Sequence, residues 1–436
     1  MVSKKIVLIG AGSAMFTQGL VIDLIRTKRS WRLGLVDIDP QALQVAEGLA
    51  RRMVGVNEAD ILVEASLNRR DLLPGAEVVV TTIGVGGRRA WEADVFIPRK
   101  YGIFQPVGDT VMAGGISRAL RLVPAMVDIA GDIVKLCPQA LFINYANPMS
   151  VICWAVRQAT GADIVGLCIG VHEVQHELAD FIGAPHEEVT CLAAGVNHFT
   201  WVYDLRWNGQ DAWPVVRTKL AQERLRLGEA IRNPFSWSLF EAYGAYPAVN
   251  DRHVSEFFPE RFPNGRYYGK QLGVDAFSFE GTIAEGDRIY AEMRDLALGR
   301  LPVVKADSAG DLGEHSQLVE ILEAIEGDRR QTFTANLPNR GAVPNLPAQA
   351  ILELTSAATS RGLRSLSVPD FPDILAAPLN RKIAAHQLTL QAALQGSRPL
   401  FVEALLSDGC VSDPAVAGRL ADDLLAAHKA YLPQFA

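Results

Sequence analysis

The sequence is poor in cysteine, in long apolar runs and in positive charge. Its five cysteines are odd in number and lack the spacing of a disulfide framework, so we expect a reducing, cytoplasmic location. No run of about 18 apolar residues occurs, so we expect no membrane-spanning helix. The formal net charge is -7 and no basic cluster stands out, which disfavours nucleic acid and anionic membranes as partners.

The amino-terminal sequence MVSKKIVLIGAGSAMF begins with lysine and an apolar run, as a signal peptide does. It lacks an evident small-residue cleavage site, and glycine and serine interrupt the apolar run. We therefore predict that it forms a first strand and the turn that follows. The chain has 436 residues, of which 49% are apolar, so it has enough material for a large core and for two or three domains.

The first half of the chain alternates between strand-like and helix-like segments. Short β-rich runs occur at 5–10, 31–39, 77–84, 140–148 and 163–170, and segments with helical spacing occur at 13–28, 40–54 and 117–136. This alternation predicts an α/β fold in which residues 1–195 form a Rossmann-like, doubly wound parallel sheet with helices on both faces.

The pattern changes after residue 195. Residues 195–209, GVNHFTWVYDLRWNG, are typical of strands with a hairpin turn at Asn208-Gly209. Helical stretches are predicted at 214–232, 281–298 and 312–327, and residues 346–436 are predicted to be mostly helical. We therefore expect residues 196–436 to form an α-rich α+β domain that binds substrate and mediates oligomerisation.

A glycine-rich loop, GAGSA (10–14), follows the first predicted strand. Gly10 permits a tight turn, Gly12 lets a pyrophosphate approach the backbone, and Ser13 lies beside them at the start of the helical segment. The third glycine of the dinucleotide pattern is missing, because Met15 stands there. Asp37 ends the second strand, where a carboxylate accepts both ribose hydroxyls and disfavours NADP. The loop predicts NAD binding; the alternative is a structural turn with a helix-capping aspartate.

Polar residues suited to binding or chemistry are concentrated in four further segments. These residues are Asp109, Arg118 and Arg121 in 108–124, Asn147 in NYANPM (144–149), Asn197 and His198 in GVNHF (195–199), and Asp251, Arg252, His253 and Glu256 in 243–259. Each has a structural alternative: Asn-Pro is a common turn, arginine pairs on helices are usually solvated, and a single histidine or cysteine is more often a packed core residue.

Several motifs occur together and in a fixed order: GAGSAMF, IPRKYGIFQPVGDT (97–110), GGISRALR (114–121), NYANPM, GLC, AGVNH and NLPNRGAVPNLP (336–347). Over most of its length the chain thereby resembles glycoside hydrolase family 4, in its α-galactosidase, α-glucosidase and α-galacturonidase branch. The resemblance implies NAD and a divalent metal, usually Mn²⁺, as cofactors. It also implies that Cys168 and His198 bind the metal, for which a thiolate and an imidazole are suitable ligands.

The resemblance further implies a reaction that departs from two-carboxylate glycoside hydrolysis. NAD takes a hydride from carbon 3 of the sugar, a base removes the acidified proton on carbon 2, and the aglycone leaves carbon 1 by elimination. Water then adds and the hydride returns. The metal polarises the oxygens on carbons 2 and 3.

By this resemblance Asp251 is the expected base, and Tyr246 or Tyr243 is the alternative. Many relatives have His or Asp directly after the metal-binding cysteine, where this chain has Ile169, which cannot transfer a proton. His172, one helical turn beyond, is the predicted substitute for the missing acid.

For the substrate, we expect Asn147 and Asn197 to bind sugar hydroxyls and Asp109 and Arg118 to organise the site near the nicotinamide. Arg252 would bind the carboxylate of a uronic acid, or would instead form a structural ion pair with Glu256. No cluster dedicated to a 6-phosphate is evident. The prediction is therefore a homodimeric or homotetrameric glycosidase that acts on an α-glycoside of a non-phosphorylated hexose or hexuronic acid. The alternatives are an NAD-dependent dehydrogenase of the lactate or malate type and an NAD-binding regulatory protein without catalysis.

Overall fold

The computed structural model of the protein describes residues 3–308, 313 and 315–435. The strands are β1 (Lys4–Ile9), β2 (Trp31–Val36), β3 (Ile61–Ser66), β4 (Val78–Thr81), β5 (Leu141–Asn144), β6 (Ile164–Gly166), β7 (Val189–Val196), β8 (Phe199–Trp207), β9 (Gln210–Asp211), β10 (Tyr246–Ala248), β11 (Arg266–Tyr267), β12 (Lys270–Gln271), β13 (Thr332–Pro338), β14 (Ile351–Thr359) and β15 (Gly362–Ser365).

The helices are α1 (Thr17–Arg26), α2 (Pro40–Val56), α3 (Arg69–Leu72), α4 (Gly87–Arg99), α5 (Met112–Leu136), α6 (Met149–Thr160), α7 (Gly170–Ile182), α8 (Trp213–Leu227), α9 (Pro234–Tyr243), α10 (Asp251–Val254), α11 (Phe279–Ala297), α12 (Ser316–Glu326), α13 (Asp373–Gln395), α14 (Arg398–Asp408) and α15 (Pro414–Ala427). Within the described residues, no helix is both long and apolar enough to cross a membrane.

One mixed sheet runs through most of the chain, in the strand order β10-β8-β7-β14-β13-β6-β5-β4-β1-β2-β3. Strands β3, β2, β1, β4, β5 and β6 are parallel neighbours, which confirms the predicted Rossmann-like half. From β13 onward the neighbours are antiparallel, so the strands of the second half extend the same sheet. The domain boundary proposed at residue 195 lies within β7.

Helices cover both faces of the parallel half. Successive side chains of each strand point to opposite faces of the sheet and pack against one or the other helix layer. In β1, Val7 and Ile9 pack into the core cluster that includes α5 and α6, whereas Ile6 and Leu8 pack into the cluster that includes α1 and α2. A strand that is buried on both faces has a continuous apolar sequence, as KIVLI has.

The prediction of a mostly helical carboxyl-terminal region is wrong for residues 351–365, which form β14 and β15. Strand β14 lies between β13 and β7, and most of its side chains are buried, whichever face of the sheet they point to. Its sequence therefore lacks the apolar-polar alternation by which a half-buried strand is recognised. The helix predicted at 13–28 begins only at Thr17, and residues 312 and 314 of the helix predicted at 312–327 lie outside the described residues.

Two hairpin turns shape the antiparallel half. The predicted turn at Asn208-Gly209 connects β8 to β9, and both residues have the positive φ angles that this dipeptide favours, 49° and 77°. A second, two-residue turn, Asn197-His198, connects β7 to β8. His198 has φ 67°, an uncommon conformation for a residue other than glycine. This turn places His198 at the candidate site.

Candidate active site

The candidate site lies where the parallel strands end, the edge at which open α/β sheets bind ligands. The GAGSA loop follows β1, Asn147 follows β5 by three residues, and Cys168 follows β6 by two. Because β1, β4, β5 and β6 are parallel neighbours, these segments emerge from the same edge of the sheet.

The GAGSA loop is fixed by close contacts with its neighbours. A Cβ atom on Gly10, which has φ 93°, would lie 2.9 Å from the backbone carbonyl carbon of Thr82, so this position requires glycine. The Gly12 amide donates to Asp37 Oδ2 at 2.8 Å, and the Ser13 amide donates to Gly10 O at 3.1 Å. Asp37 therefore lies directly beside the loop, as NAD binding at this edge requires.

The loop that carries Asp109 packs against the first turn of α5. A Cβ atom on Gly115 would lie 2.3 Å from the carbonyl carbon of Thr110, so the glycine allows the helix to approach the loop backbone. The Thr110 hydroxyl donates to Asp109 Oδ1 at 2.6 Å, and Asn147 Nδ2 donates to Asp109 Oδ2 at 3.0 Å. Both carboxylate oxygens are thereby oriented.

Asp109 is ionised despite its surroundings. Desolvation raises the pKa of this carboxyl, but the charge of Arg118 and the hydrogen bond from Thr110 lower it, and the pKa lies below its ordinary value. An ionised carboxylate accepts hydrogen bonds and donates none. The proton between Asp109 and Thr110 therefore belongs to the threonine hydroxyl.

This hydrogen bond determines the tautomer of His198. Thr110 Oγ1 lies 2.8 Å from His198 Nδ1, and its single proton is already donated to Asp109. The hydroxyl can only accept from the imidazole, so Nδ1 carries the proton and Nε2 keeps its lone pair. Burial also lowers the pKa of His198, which keeps the ring neutral. A neutral imidazole whose second nitrogen is fixed by a hydrogen bond is the usual form of a metal-binding histidine.

His253 completes a group that we call the ligand cluster, namely Asp109, His198 and His253. One potential ligand atom from each lies within 4.8 Å of the other two. The two imidazole centroids are 4.3 Å apart, and desolvation lowers the pKa of His253 well below its ordinary value. One carboxylate and two neutral imidazoles fit a divalent first-row metal, because they combine hard and intermediate donors.

The structure does not place Cys168 in the ligand cluster. Among the described residues, the ligand cluster is the one group of three or more metal-binding side chains that meets within 4.8 Å. Cys168 is partly buried, and its Sγ lies 3.4 Å from the Gly170 amide. His198 thus has candidate co-ligands that the sequence analysis did not assign, and the metal role of Cys168 stays a prediction.

Buried polar atoms without a partner point to a bound molecule. Asn147 Oδ1, Asn197 Oδ1 and Arg252 Nε are inaccessible to solvent and make no hydrogen bond within the described part of the chain. Such atoms cost about 1–3 kcal/mol each unless a ligand or water satisfies them. Their position on the residues predicted to bind sugar fits a polar substrate.

Arg118 lies beside these residues. Its Nε donates to the carbonyl oxygen of Asn147 at 3.0 Å, and its guanidinium lies 5.7 Å from the centroid of the Trp91 ring. Arg121, three residues further along α5, instead forms a fully buried ion pair with Asp94 at 2.7 Å. The two arginines thus differ in role: Arg118 borders the site, and Arg121 joins α5 to α4.

The structure turns Asp251 away from the ligand cluster. Its carboxylate accepts four hydrogen bonds, from the Phe235 amide at 2.8 Å, the Ser236 amide at 2.7 Å, the Ser236 hydroxyl at 2.5 Å and the Tyr267 hydroxyl at 2.5 Å. The two amides belong to the first turn of α9, which favours a nearby anion. This arrangement argues for a structural carboxylate and against the predicted role as base.

The other predicted proton-transfer residues also lie elsewhere. Tyr246 is buried in the core beside Trp237, and burial raises the pKa of its hydroxyl far above the ordinary value. Tyr243 packs against Trp201 at a centroid distance of 5.1 Å. His172 lies on α7, with its ring 4.1 Å from that of His176. The structure brings none of the three into the ligand cluster.

Glu256 is a site neighbour whose role the sequence did not reveal. Its Oε1 accepts from the amides of Val107 and Gly108 at 2.8 and 2.9 Å, so it fixes the loop that precedes Asp109. Among the described residues, no ion pair joins it to Arg252, which instead donates to Thr282 Oγ1 at 2.9 Å. Burial raises the pKa of Glu256 to about 8, and the charge of Asp109 adds to the effect.

Because of this raised pKa, Glu256 should make a pH-dependent contribution to the free energy of unfolding, and the Glu256→Gln substitution should remove that contribution. Below the unfolded pKa of about 4.3, both states are protonated; between that pH and about 8, only the unfolded state releases the proton. The wild-type protein should therefore lose stability as pH rises through this window, whereas the glutamine variant should lose less. Thermal unfolding at pH 5, 6, 7 and 8 checks this, and parallel Tm profiles for the two proteins would contradict it.

Comparison with known proteins decides the family. The sequence matches the model of the family 4 glycosyl hydrolases over residues 5–184 and the model of their C-terminal domain over residues 193–411. The chain belongs to glycosyl hydrolase family 4. It is therefore a glycoside hydrolase, and this membership decides against the dehydrogenase and regulatory alternatives.

Relatives of this family 4 enzyme match along nearly their whole length. An alpha-galactosidase of Rhizobium meliloti is 30% identical, with 100% of this chain and 90% of that protein aligned. An alpha-galacturonidase of Bacillus subtilis is 32% identical over 97% and 96% of the two chains. The crystal structure of a 6-phospho-alpha-glucosidase from gut microorganisms, in complex with NAD and Mn²⁺, has the same fold, with a TM-score of 0.86, 17% identity and 99% coverage of both chains.

Proposed function

We propose that this enzyme hydrolyses an α-glycoside of a non-phosphorylated hexose or hexuronic acid, with NAD and a divalent metal such as Mn²⁺. The observation that carries the proposal is the convergence of Asp109, His198 and His253 at the sheet edge that also bears the GAGSA loop. The curated relatives named above are α-glycosidases, and the solved neighbour was crystallised with NAD and Mn²⁺.

The residues of this chain divide the work as follows. Asp109, His198 and His253 would bind the metal, with Thr110 fixing the tautomer of His198. Asp37, beside the GAGSA loop, would accept the ribose hydroxyls of NAD. When bound, NAD supplies a reversible hydride acceptor for carbon 3 of the sugar, and the metal supplies a Lewis acid for the neighbouring hydroxyl oxygens.

The sugar would be oriented by the polar atoms that lack partners. Asn147 Oδ1 and Asn197 Oδ1 would each accept a hydrogen bond from a sugar hydroxyl. Arg252 Nε favours a second, narrower candidate substrate, a hexuronic acid, because a guanidinium binds a carboxylate through two parallel hydrogen bonds. We further propose that the enzyme is cytoplasmic, which fits the observation that its cysteines form no disulfide within the described residues. We also propose that it forms a homodimer or homotetramer.

A panel of nitrophenyl glycosides tests the proposal. The expected result is release of nitrophenol from an α-galactoside, α-glucoside or α-galacturonide only when both NAD and Mn²⁺ are present, with no lasting absorbance of NADH at 340 nm. Release that persists after removal of both cofactors, or NADH that accumulates with turnover, would contradict it. Arg252→Gln should weaken turnover of the uronide while leaving the neutral glycosides less affected, if the uronide is the substrate.

A further inference from the structure

A cavity of about 550 Å³ lies away from the candidate active site. It borders the first residue of β5, Leu141, and the middle of β6 at Val165, together with the last residues of β13 and the β14–β15 hairpin. The GAGSA loop, Asn147 and the ligand cluster belong to the other ends of the parallel strands or to the β7–β8 turn. None of these residues lines the cavity, so it is a separate feature of the molecule.

The cavity is strongly cationic in an acidic protein. Its lining includes four arginines, Arg157, Arg340, Arg361 and Arg364, and one acidic residue, Asp163, a local excess of three positive charges, whereas the whole chain has a formal net charge of -7. Such a local reversal of charge concentrates anions at the cavity.

Three of these guanidinium groups are not neutralised. Arg157 forms an ion pair with Asp163 at 2.6 Å and donates to Ile164 O at 2.7 Å, so it is already engaged. Among the described residues, neither Arg340, Arg361 nor Arg364 forms an ion pair with an acidic side chain. Arg364 Nη2 donates to the backbone carbonyl oxygen of Arg361 at 2.8 Å, which holds the Arg364 side chain against the hairpin turn.

The shape and chemistry of the cavity fit a small anion with an apolar or ring part. Its volume lies within the range of about 300–1,000 Å³ that is typical of small-molecule sites. Val165 and Leu337 provide buried apolar surface, and Ser360 and Ser365 provide hydroxyls near the arginines. Guanidinium groups match the geometry of phosphate oxygens and remain charged at any physiological pH.

We propose that this cavity binds a small phosphate-bearing metabolite at a site distinct from the catalytic one. The proposal does not depend on which glycoside the enzyme hydrolyses. It requires only that the two exposed arginines of the β14–β15 hairpin, Arg361 and Arg364, act together on one anion.

Isothermal titration calorimetry with sodium pyrophosphate tests the proposal. The full chain is saturated with NAD⁺ in Mn²⁺-free buffer at fixed ionic strength, so that the nucleotide loop cannot bind the probe. One pyrophosphate per chain is expected. The double variant Arg361→Gln/Arg364→Gln should weaken binding at least tenfold. Arg340→Gln should weaken it less, because Arg340 lies beyond the end of β14 that is opposite to the hairpin.

Arg330→Gln is the matched control. Arg330 is exposed, lies beside β14 through the bond from its amide to Ala358 O, and pairs with Asp328 at 3.6 Å, but it does not line the cavity. Pyrophosphate binding that the control variant loses equally, or that the double variant retains, would overturn the proposal. The double variant could instead change the oligomeric state measured by light scattering and leave pyrophosphate binding unchanged. That result would show that the surface around the cavity contacts a second copy of the chain.

Discussion

Replacement of His198 by alanine is expected to lower kcat/KM by about a thousandfold or more and to abolish the dependence of activity on Mn²⁺. His198 offers the Nε2 lone pair that Thr110 leaves available, in a cluster completed by Asp109 and His253. Loss of this ligand should weaken metal binding as well as turnover. Steady-state kinetics across a Mn²⁺ titration, together with electron paramagnetic resonance of free Mn²⁺, measure the two effects on the same samples.

His176→Ala is the matched control, because His176 lies on α7 against His172 and His186 and outside the ligand cluster. It should keep both activity and Mn²⁺ affinity. Thr110→Val should give an intermediate loss of about 10–100-fold, since it removes the hydrogen bond that fixes the tautomer but not the ligand itself. A His198→Ala protein with normal Mn²⁺ dependence would refute the assignment.

Replacement of Asp251 by alanine is expected to destabilise the protein by about 3–5 kcal/mol, which corresponds to a fall in Tm of about 3–5 °C for a cooperative chain of this length. The carboxylate accepts four buried hydrogen bonds, and its removal leaves the α9 amides and the Tyr267 hydroxyl unsatisfied. Differential scanning calorimetry measures the effect. Ser236→Ala, which removes one of these donors, should cost only about 1 kcal/mol.

The same residue also distinguishes the structural role from the catalytic role that the sequence predicted. Asp251→Asn keeps the size of the side chain but replaces one acceptor oxygen by a donor, so it should lower Tm while leaving activity per folded molecule within about tenfold. An asparagine variant with unchanged Tm and a loss of activity of 10²–10⁴-fold would instead identify Asp251 as the base.

The parallel half of the fold could be predicted because its signals are local. Each strand is a short apolar run and each helix has its own period, and Gly10, Gly12 and Asp37 occur at the positions that this topology requires. Strand β14 could not be recognised in the same way. Its neighbours come from distant parts of the chain, and burial on both faces removes the period from its sequence.

At the candidate site, the structure brings together several of the segments that the sequence singled out, but not all of the side chains named in them. Asp251 and His253 lie two residues apart on α10, where successive positions rotate by about 100°, so their side chains diverge by about 200°. Both residues were candidates from the sequence. Their different rotational positions around the helix axis mean that His253, and not Asp251, faces Asp109 and His198. The sequence resemblance likewise paired Cys168 with His198 without information on where the two side chains point.

The roles of Glu256 and Thr110 were not predicted, because they depend on contacts with the backbone or with another side chain. Glu256 lies about 150 residues along the chain from the two backbone amides whose hydrogen bonds it accepts, and the local sequence around it does not predict that contact. Thr110 has a sequence signal, its position directly after Asp109, but its link to His198 appears only when the β7–β8 turn is in place.

Anomalous diffraction at the manganese edge, from crystals of the full chain grown with NAD⁺ and soaked in Mn²⁺, tests the central claim most directly. We predict one peak within bonding distance, about 2.0–2.6 Å, of His198 Nε2 and of at least one ligand atom of Asp109 or His253. A well-occupied peak bound elsewhere, with His198, Asp109 and His253 all beyond bonding distance, would contradict the account.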